Sequence, residues 1–509
     1  MKRTAKDSAV LFVLALGTTA LIACPASLDD RCAEGACDPS VSEAGVDGQS
    51  PDANVPDAPV PPNCDENADA ISEEAKGCLD DTFALFVDGT SGDDTNPGTK
   101  SSPMKSIAAA VAKGPTLGKR RVYVCGNGPY VESVEITSPV HLFGGFACGT
   151  WTADSSLKPH VTPDTPGYAL HVNGVAADLR VEDIAFEALA GTVDAPSSIA
   201  VFVANSPSVT FKRVDIKANG GFTSPDGNAG VMGTPDQDPR GNDGTPTAGG
   251  AEKECKCSTG GVTRGGKGGD PTGTESGGKN GEPVITPPNP PVATGQGGTR
   301  DECEGGTGNG RRGSDAPPAP AAPRAPLGTL DASGWKPGDG AKGSNGTPGQ
   351  GGGGGGSYRI GAAGQNGGGG GGGCGGCGGS GGDGGKGGGA SVALLSFDSL
   401  VRLSASTLTA SDAGNGAAGK DGGPGGSGGL GGGGGNGGCP GGIGGDGGKG
   451  GAGAGGAGGV SAAVFYKGAA PIAEGSTLNH GAKGAGGKGG KSPDNDGPDG
   501  LEGAIVEAL

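Results

Sequence analysis

A phrase of alternating apolar residues keeps returning along this chain, and glycine separates its later copies. The clearest copy spans 198–219: Ile199, Val201 and Val203 alternate, a polar turn follows at Asn205 to Ser208, and alternation resumes at Val209, Phe211, Val214 and Ile216. The same outline precedes it at 168–186, through Leu170, Val172, Leu179, Val181, Ile184 and Phe186. It returns at 392–410 with Leu394, Val401, Leu403 and Leu408, and at 462–480 with Val464, Tyr466, Ile472 and Leu478. Strands this short cannot bury an apolar face alone, so the copies must stack, and stacking buries one continuous core. The expectation is an all-β chain: a parallel β-helix with the glycine tracts as long insertions between its coils.

Composition supports a scaffold over a large globular enzyme. Glycine accounts for 118 of 509 residues, hydrophobic residues for 32% and aromatics for 4%, which leaves little side-chain volume for separate cores. The formal charge is −18; Lys2, Arg3, Lys6 and Asp7 carry +2 of it, so the chain beyond them carries −20. Nucleic acid and anionic membrane surfaces both require basic patches and are disfavoured as partners.

The first 24 residues pair a basic start, Lys2 and Arg3, with an apolar run at 9–16 and then Leu21-Ile22-Ala23-Cys24. The run is too short for a membrane span, which needs about 20 residues. The segment resembles a bacterial lipoprotein signal ending in a lipobox, against the plainer alternative of a cleaved secretion signal. The resemblance implies lipidation of Cys24, a membrane anchor, and a cell-envelope location. Pro25 at the next position fits outer-membrane sorting, facing the periplasm or the cell surface. Residues 25–63 are rich in Pro, Asp and Ala without periodicity and read as an extended tether. Cys32 and Cys37 can close a small loop within it, and Cys64 and Cys78 bracket a short helical stretch read as a stapled cap over 64–85.

At 86–111 a strand leads into an Asp/Gly/Asn loop ending in Asn96-Pro97-Gly98-Thr99, then Pro103 and a short helical run. At 121–151 follow R-V-Y-V-C-G-N-G-P-Y-V-E and a Gly144-Gly145-Phe146 corner. These features resemble, in order, the opening of pectate-lyase-like right-handed β-helix proteins. The resemblance implies a right-handed parallel β-helix whose first coil is plugged by the helix. The resulting division is 86–221 β-helix, 222–389 glycine-rich insertion, 390–413 coil, 414–459 Gly-Gly-X insertion, 460–480 coil and 481–509 glycine-rich tail. In that register Glu182 sits over Lys212 and Asp183 over Arg213, an outer-face charge ladder. Cys125 and Cys148 lie about one coil apart, and strands ~4.8 Å apart suit a disulfide between them.

The tract at 422–459 reads Gly-Gly-X with a slip at Pro440, and 364–389 and 260–281 share the habit. Collagen needs one Gly in three with abundant Pro, so it is excluded. A period of three fits an extended polyglycine helix, which is either a solvated string or a member of a mutually bonded bundle. Ordering costs ~1–2 kcal/mol per residue against roughly 0.5–1.5 returned per backbone bond. With both ends held on neighbouring coils and Cys374, Cys377 and Cys439 able to staple tracts, packing is favoured over disorder. The pattern resembles the PGRS repeat of mycobacterial surface proteins, whose N-terminal helical module has no counterpart here.

Beyond Cys24 the remaining cysteines, Cys32, Cys37, Cys64, Cys78, Cys125, Cys148, Cys255, Cys257, Cys303, Cys374, Cys377 and Cys439, are even in number and read as disulfide partners in an oxidising compartment. Cys374-Gly-Gly-Cys377 lacks the βαβ setting of a redox motif and the four clustered ligands of a zinc site. His141, His160, His171 and His480 are scattered and read as coil-face residues. Asp88, Asp93, Asp94 and Asn96 offer oxygens at short spacing, a candidate calcium loop, although such residues also build ordinary turns. No other cofactor is expected. The expected function is that of a non-catalytic envelope lipoprotein with a structural, adhesive or matrix role, in contact with polysaccharide or other surface components. The alternative is a β-helix polysaccharide lyase or glycoside hydrolase, which needs a cation and a proton-abstracting base lined up on one face. An ice- or glycan-binding module is a third reading and rests only on a flat glycine-rich face.

Overall fold

The computed structural model describes residues 56–126, 128–285, 294–304, 306–359, 366–491 and 495–508. The chain is rich in strands; among the described residues the one α-helix is Ile107–Lys113, with 3-10 turns at Glu73–Cys78 and Pro115–Leu117. Three parallel sheets dominate. Sheet A orders Ala84–Val87, Arg121–Cys125, His141–Phe146, Leu179–Glu182, Val209–Lys212, Val401–Ser404 and Ile472–Glu474. Sheet B orders Pro129–Val131, His160–Thr162, Ala185–Glu187, Asp215–Lys217, Thr407–Thr409 and Thr477–Asn479. Sheet C orders Val134–Ile136, Leu170–Asn173, Ser198–Ala204, Ser391–Phe397, Ser461–Lys467 and Glu502–Glu507. From Arg121 onward the chain visits A, B and C in rotation.

Alternation decides what each strand buries. Val201, Leu394 and Val464 pair in register in sheet C, as do Val209 with Val401 in sheet A and Ile216 with Leu408 in sheet B, and all of them join one core. Corners between sheets also stack. Asp183, Arg213 and Ala405 occupy the left-handed region at successive A-to-B corners, where the following circuit has Gly475. Asn205 and Asp398 do the same between C and A.

Parts of the outer faces of sheets A and C are covered. The 56–85 segment, closed by Cys64–Cys78, lays Ala70, Ala75 and Phe83 against Phe86, Tyr123, Phe143 and Phe146 of sheet A. The cap therefore covers a side of the stack; the end is plugged by helix Ile107–Lys113, whose Ile107, Ala110 and Val111 enter the core. Ser106 caps that helix, and Glu132 accepts hydrogen bonds from the amides of Ile107 and Ala108. The charge ladder expected on the outside is consequently buried: Glu182 and Asp183 are 1% and 0% exposed beneath the cap.

Every long insertion leaves sheet B and re-enters sheet C, and the glycine is packed. As the chain leaves sheet B, the ladder continues through Ala218 to Thr409, Gly221 to Asp412 and Ser224 to Asn415, changing its repeat from two residues to three. Within 366–389, three consecutive amides point at three different neighbours. Gly370, Gly373 and Gly376 donate to Cys439, Gly442 and Gly445; Gly368, Gly371 and Cys374 to Thr245, Asn242 and Pro239; Gly369 and Gly372 to Gly269 and Gly266. That threefold rotation belongs to an extended helix of three residues per turn, which has no internal hydrogen bonds and so bonds outward. A Cβ on Gly372 would overlap the carbonyl of Gly352, and one on Gly373 the carbonyl of Gly429. Runs of pure glycine lie where neighbours surround the segment, and Gly-Gly-X lies where one direction is open.

Three readings of the low-complexity sequence change. The tract 422–459 is two antiparallel segments, and the slip near Pro440 marks the reversal at Asn436 and Gly437, both at positive φ. The 222–389 insertion contains hairpins Lys253–Lys256/Val262–Gly265, Gly328–Asp331/Gly334–Pro337 and Tyr358–Arg359/Asn366–Gly367. The second folds back over sheet C, setting Trp335 edge-on to Phe465 at 5.0 Å with Leu330 buried beside it. The tail is not only glycine, because Glu502–Glu507 pairs with Ser461–Lys467 as a further strand of sheet C.

Candidate functional site

Sheet B carries an open polar face. Its outward positions follow from alternation in A-F-E at 185–187 and D-I-K at 215–217, where the central Phe186 and Ile216 point into the core. The face presents His160, Thr162, Glu187, Asp215 and Lys217, and then Thr407, Thr409, Thr477 and Asn479. Lys217 Nζ lies 2.8 Å from Glu187 Oε1, Asn219 Nδ2 donates to the same oxygen at 3.1 Å, and His160 Nε2 sits 3.1 Å from Oε2. Lys158 Nζ holds Asp215 at 2.8 Å. Partial burial acts to raise the Glu187 pKa, but the Lys217 and Asn219 hydrogen bonds outweigh it and hold the carboxyl below its usual range. Both carboxylates are thus matched to cations across the ladder. Such a surface can hydrogen-bond hydroxyl-rich ligands.

A second ionic cluster lies under the cap. Arg213 binds Asp183 through two parallel hydrogen bonds of 2.8 and 2.7 Å. Lys212, expected over Glu182, does pair with it in register, but its ammonium goes to Asp69 of the cap. Glu182 is instead held by Arg180 and by the amide of Ala70. Burial raises the Asp183 carboxyl against the pull of Arg213, whose own proton affinity is increased by the bonds to Asp183. His141 is pushed down to about 4 by burial and by the cations of Arg121, Arg180 and Arg120. Its Nδ1 accepts the Arg180 amide at 3.1 Å, so the ring is a neutral acceptor. This cluster fastens the cap.

The candidate calcium residues are not brought together. Asp88 accepts from the Thr90 and Ser91 amides, Asp93 from Thr95, and Asp94 from Lys105 and Ser106, while Asn96 donates to the carbonyl of Pro103. Asp88 and Asp93 satisfy their own turns, while Asp94 and Asn96 tie the loop to the chain at 103–106. Among the described residues the one grouping of three potential ligands is Asp88 with Cys125 and Cys148, whose sulfurs are joined to each other. Cys255 bonds Cys374, Cys257 bonds Cys377, and Cys303 bonds Cys439, so the two cysteines of Cys374-Gly-Gly-Cys377 staple a hairpin to the central glycine segment. Cys24, Cys32 and Cys37 lie outside the described residues. His171 stacks on Phe202 at 5.0 Å on the outside of sheet C, and His480 is exposed beyond the last strand of sheet B.

Sequence reasoning passed over Glu187, Lys217 and Asp215. The signal was present: Glu187 and Lys217 are 30 residues apart, the same spacing as Asp183 and Arg213. Comparison with protein-family models, with curated proteins and with solved structures gives no match.

Proposed function

We propose that this chain is a non-catalytic lipoprotein of the cell envelope, anchored through lipid on Cys24, that serves as a rigid adhesive or matrix scaffold. In this reading the three parallel sheets are the sides of a right-handed parallel β-helix. The glycine segments form a slab growing from one corner of it, and the open face of sheet B contacts surface polysaccharide. The observation that carries the proposal is the bonding of 366–389 to neighbours on several sides, with disulfides from Cys374 and Cys377 to a hairpin. A backbone committed in three directions is suited to rigidity and leaves little room to close around a substrate. The paired charges of sheet B add to this, since a ladder neutralised strand by strand favours contact over proton transfer.

Two measurements test the proposal. Metabolic labelling with a palmitate analogue should mark the wild type and not Cys24→Ser. The purified Cys24→Ser chain should be retained on envelope polysaccharide without producing unsaturated sugars or new reducing ends. Turnover of pectin or alginate by that protein would replace the scaffold reading with the enzymatic one.

A further inference from the structure

The two ends of the stack differ. At the first, the edge amides of Ala84–Val87 are served by the chain at 98–104, through Phe86 to Gly98 and Met104 to Phe86, and the helix fills the core. At the other, Ile472–Glu474, Thr477–Asn479 and Glu502–Glu507 are the outermost strands of sheets A, B and C, and among the described residues nothing pairs with their far side. Ala473, Leu478 and Ile505 continue the inward columns of Leu403, Leu408 and Val464 at that end.

The slab is open on the same side. Asp412, Asn415 and Asp421 reach the last glycine segment, at Ala482, Ala485 and Lys491. The same three-residue row runs on to Leu430, 62% exposed, and Ile443, 43% exposed, lies beside it on the antiparallel neighbour. With Ile472 at 37% and Ile505 at 41%, this side has four exposed large apolar residues, two on unpaired strand edges and two on the slab.

We infer that this face docks on the same face of a second copy of the chain, tail to tail, about a two-fold axis through Ala473. Head-to-tail continuation is blocked because the first end is closed. A two-fold axis through the sheet A edge pairs Ile472–Glu474 with itself in antiparallel fashion and brings sheet B of one copy against sheet C of the other. The sheet B edge is uncharged at Thr477–Asn479 and leads to the cation of Lys483, whereas the sheet C edge carries Glu502 and Glu507. Crossing B with C sets opposite charges together, while pairing Glu502–Glu507 with itself would oppose Glu502 to Glu507. Because every long insertion leaves B and returns to C, this axis also lays slab on slab. The edge strands with the glycine segments 481–491 and 495–501 amount to on the order of 30 residues a side, the number a stable interface uses.

Sedimentation velocity and chemical cross-linking on the Cys24→Ser chain test the inference. A dimer is expected at micromolar concentration, and Ala473→Cys, being on the axis, should form an intermolecular disulfide in most of the protein under mild oxidation. Val131→Cys, at the opposite end, should not. Ile505→Lys and, independently, Ile472→Lys should each weaken the dimer at least tenfold; whichever retains the wild-type circular dichroism and melting profile is decisive. A monomer throughout, open-ended polymers, or cross-linking of Ala473→Cys with Val131→Cys would overturn the inference. Any of these results leaves the polysaccharide test unaffected.

Discussion

Arg213 and Asp183 stand one circuit apart at stacked corners, both in the left-handed region, and grip each other through two hydrogen bonds beneath the cap. Left-handed backbone is unfavourable for residues with a Cβ. The pair holds these corners in place while Asp69 of the cap adds a third charge at 3.3 Å from Arg213.

Arg213→Met should therefore cost about 3–5 kcal/mol, because it strands a fully buried carboxylate beside Glu182. Adding Asp183→Asn, which removes the orphaned charge and tolerates the corner, should recover most of the loss. Urea unfolding of the single and double variants reads both effects; equal stability of Arg213→Met and wild type would refute the role given to the pair.

In the glycine slab the prediction turns on direction. Gly372→Ala should prevent folding of the slab or cost more than about 3 kcal/mol, since its Cβ would meet the carbonyl of Gly352 rather than a side chain that could move. Ser427→Ala, at an open position of its triplet, should change stability by less than about 0.5 kcal/mol. Hydrogen exchange of the two variants separates these outcomes amide by amide.

The two hairpin disulfides back each other up. Cys257–Cys377 and Cys255–Cys374 close loops of nearly the same length, with separations of 120 and 119 residues. Removing one pair should cost about 1 kcal/mol or less, and removing both about 4–5 kcal/mol, because only then is the long loop released. Thermal melts of the two double-serine variants and the quadruple variant give the comparison.

His141 makes stability depend on pH with a definite sign. Its folded pKa, about 4, lies below the ordinary value of 6.5, so between those values the unfolded chain takes up a proton that the folded chain refuses. Its contribution is nil above pH 6.5 and grows unfavourable as pH falls, reaching about 3 kcal/mol near pH 4. His141→Gln keeps an acceptor for the Arg180 amide and should flatten that part of the profile. A urea midpoint that declines equally in both proteins from pH 7 to 4.5 would remove His141 as the cause.

Period-two alternation made the strands legible: Val201, Leu394 and Val464 are readable as neighbours because like patterns stack in like register. The coverings were harder to see. The hairpin Gly328–Pro337 announces itself only through Leu330 and Trp335, isolated in Pro- and Gly-rich sequence, and its burial depends on sheet C presenting Phe202, Leu395 and Phe465 outward. The burial of Glu182 likewise depends on the cap, which local patterning does not position. At the open face, Glu187 and Lys217 follow from the same 30-residue interval that revealed Asp183 and Arg213, so that site was within reach. The Asp88 loop illustrates the converse: spacing showed which oxygens were near in sequence, while turn bonding settled where each one points.

The switch from a two-residue to a three-residue ladder at the edge of sheet B carries a rule about length. Adding or deleting one residue in a slab segment would rotate everything downstream by a third of a turn, driving the exposed X side chains into carbonyls and swinging glycines out to water. Triplets preserve the phase, so the segments can lengthen or shorten only in steps of three, and neighbouring segments must change together.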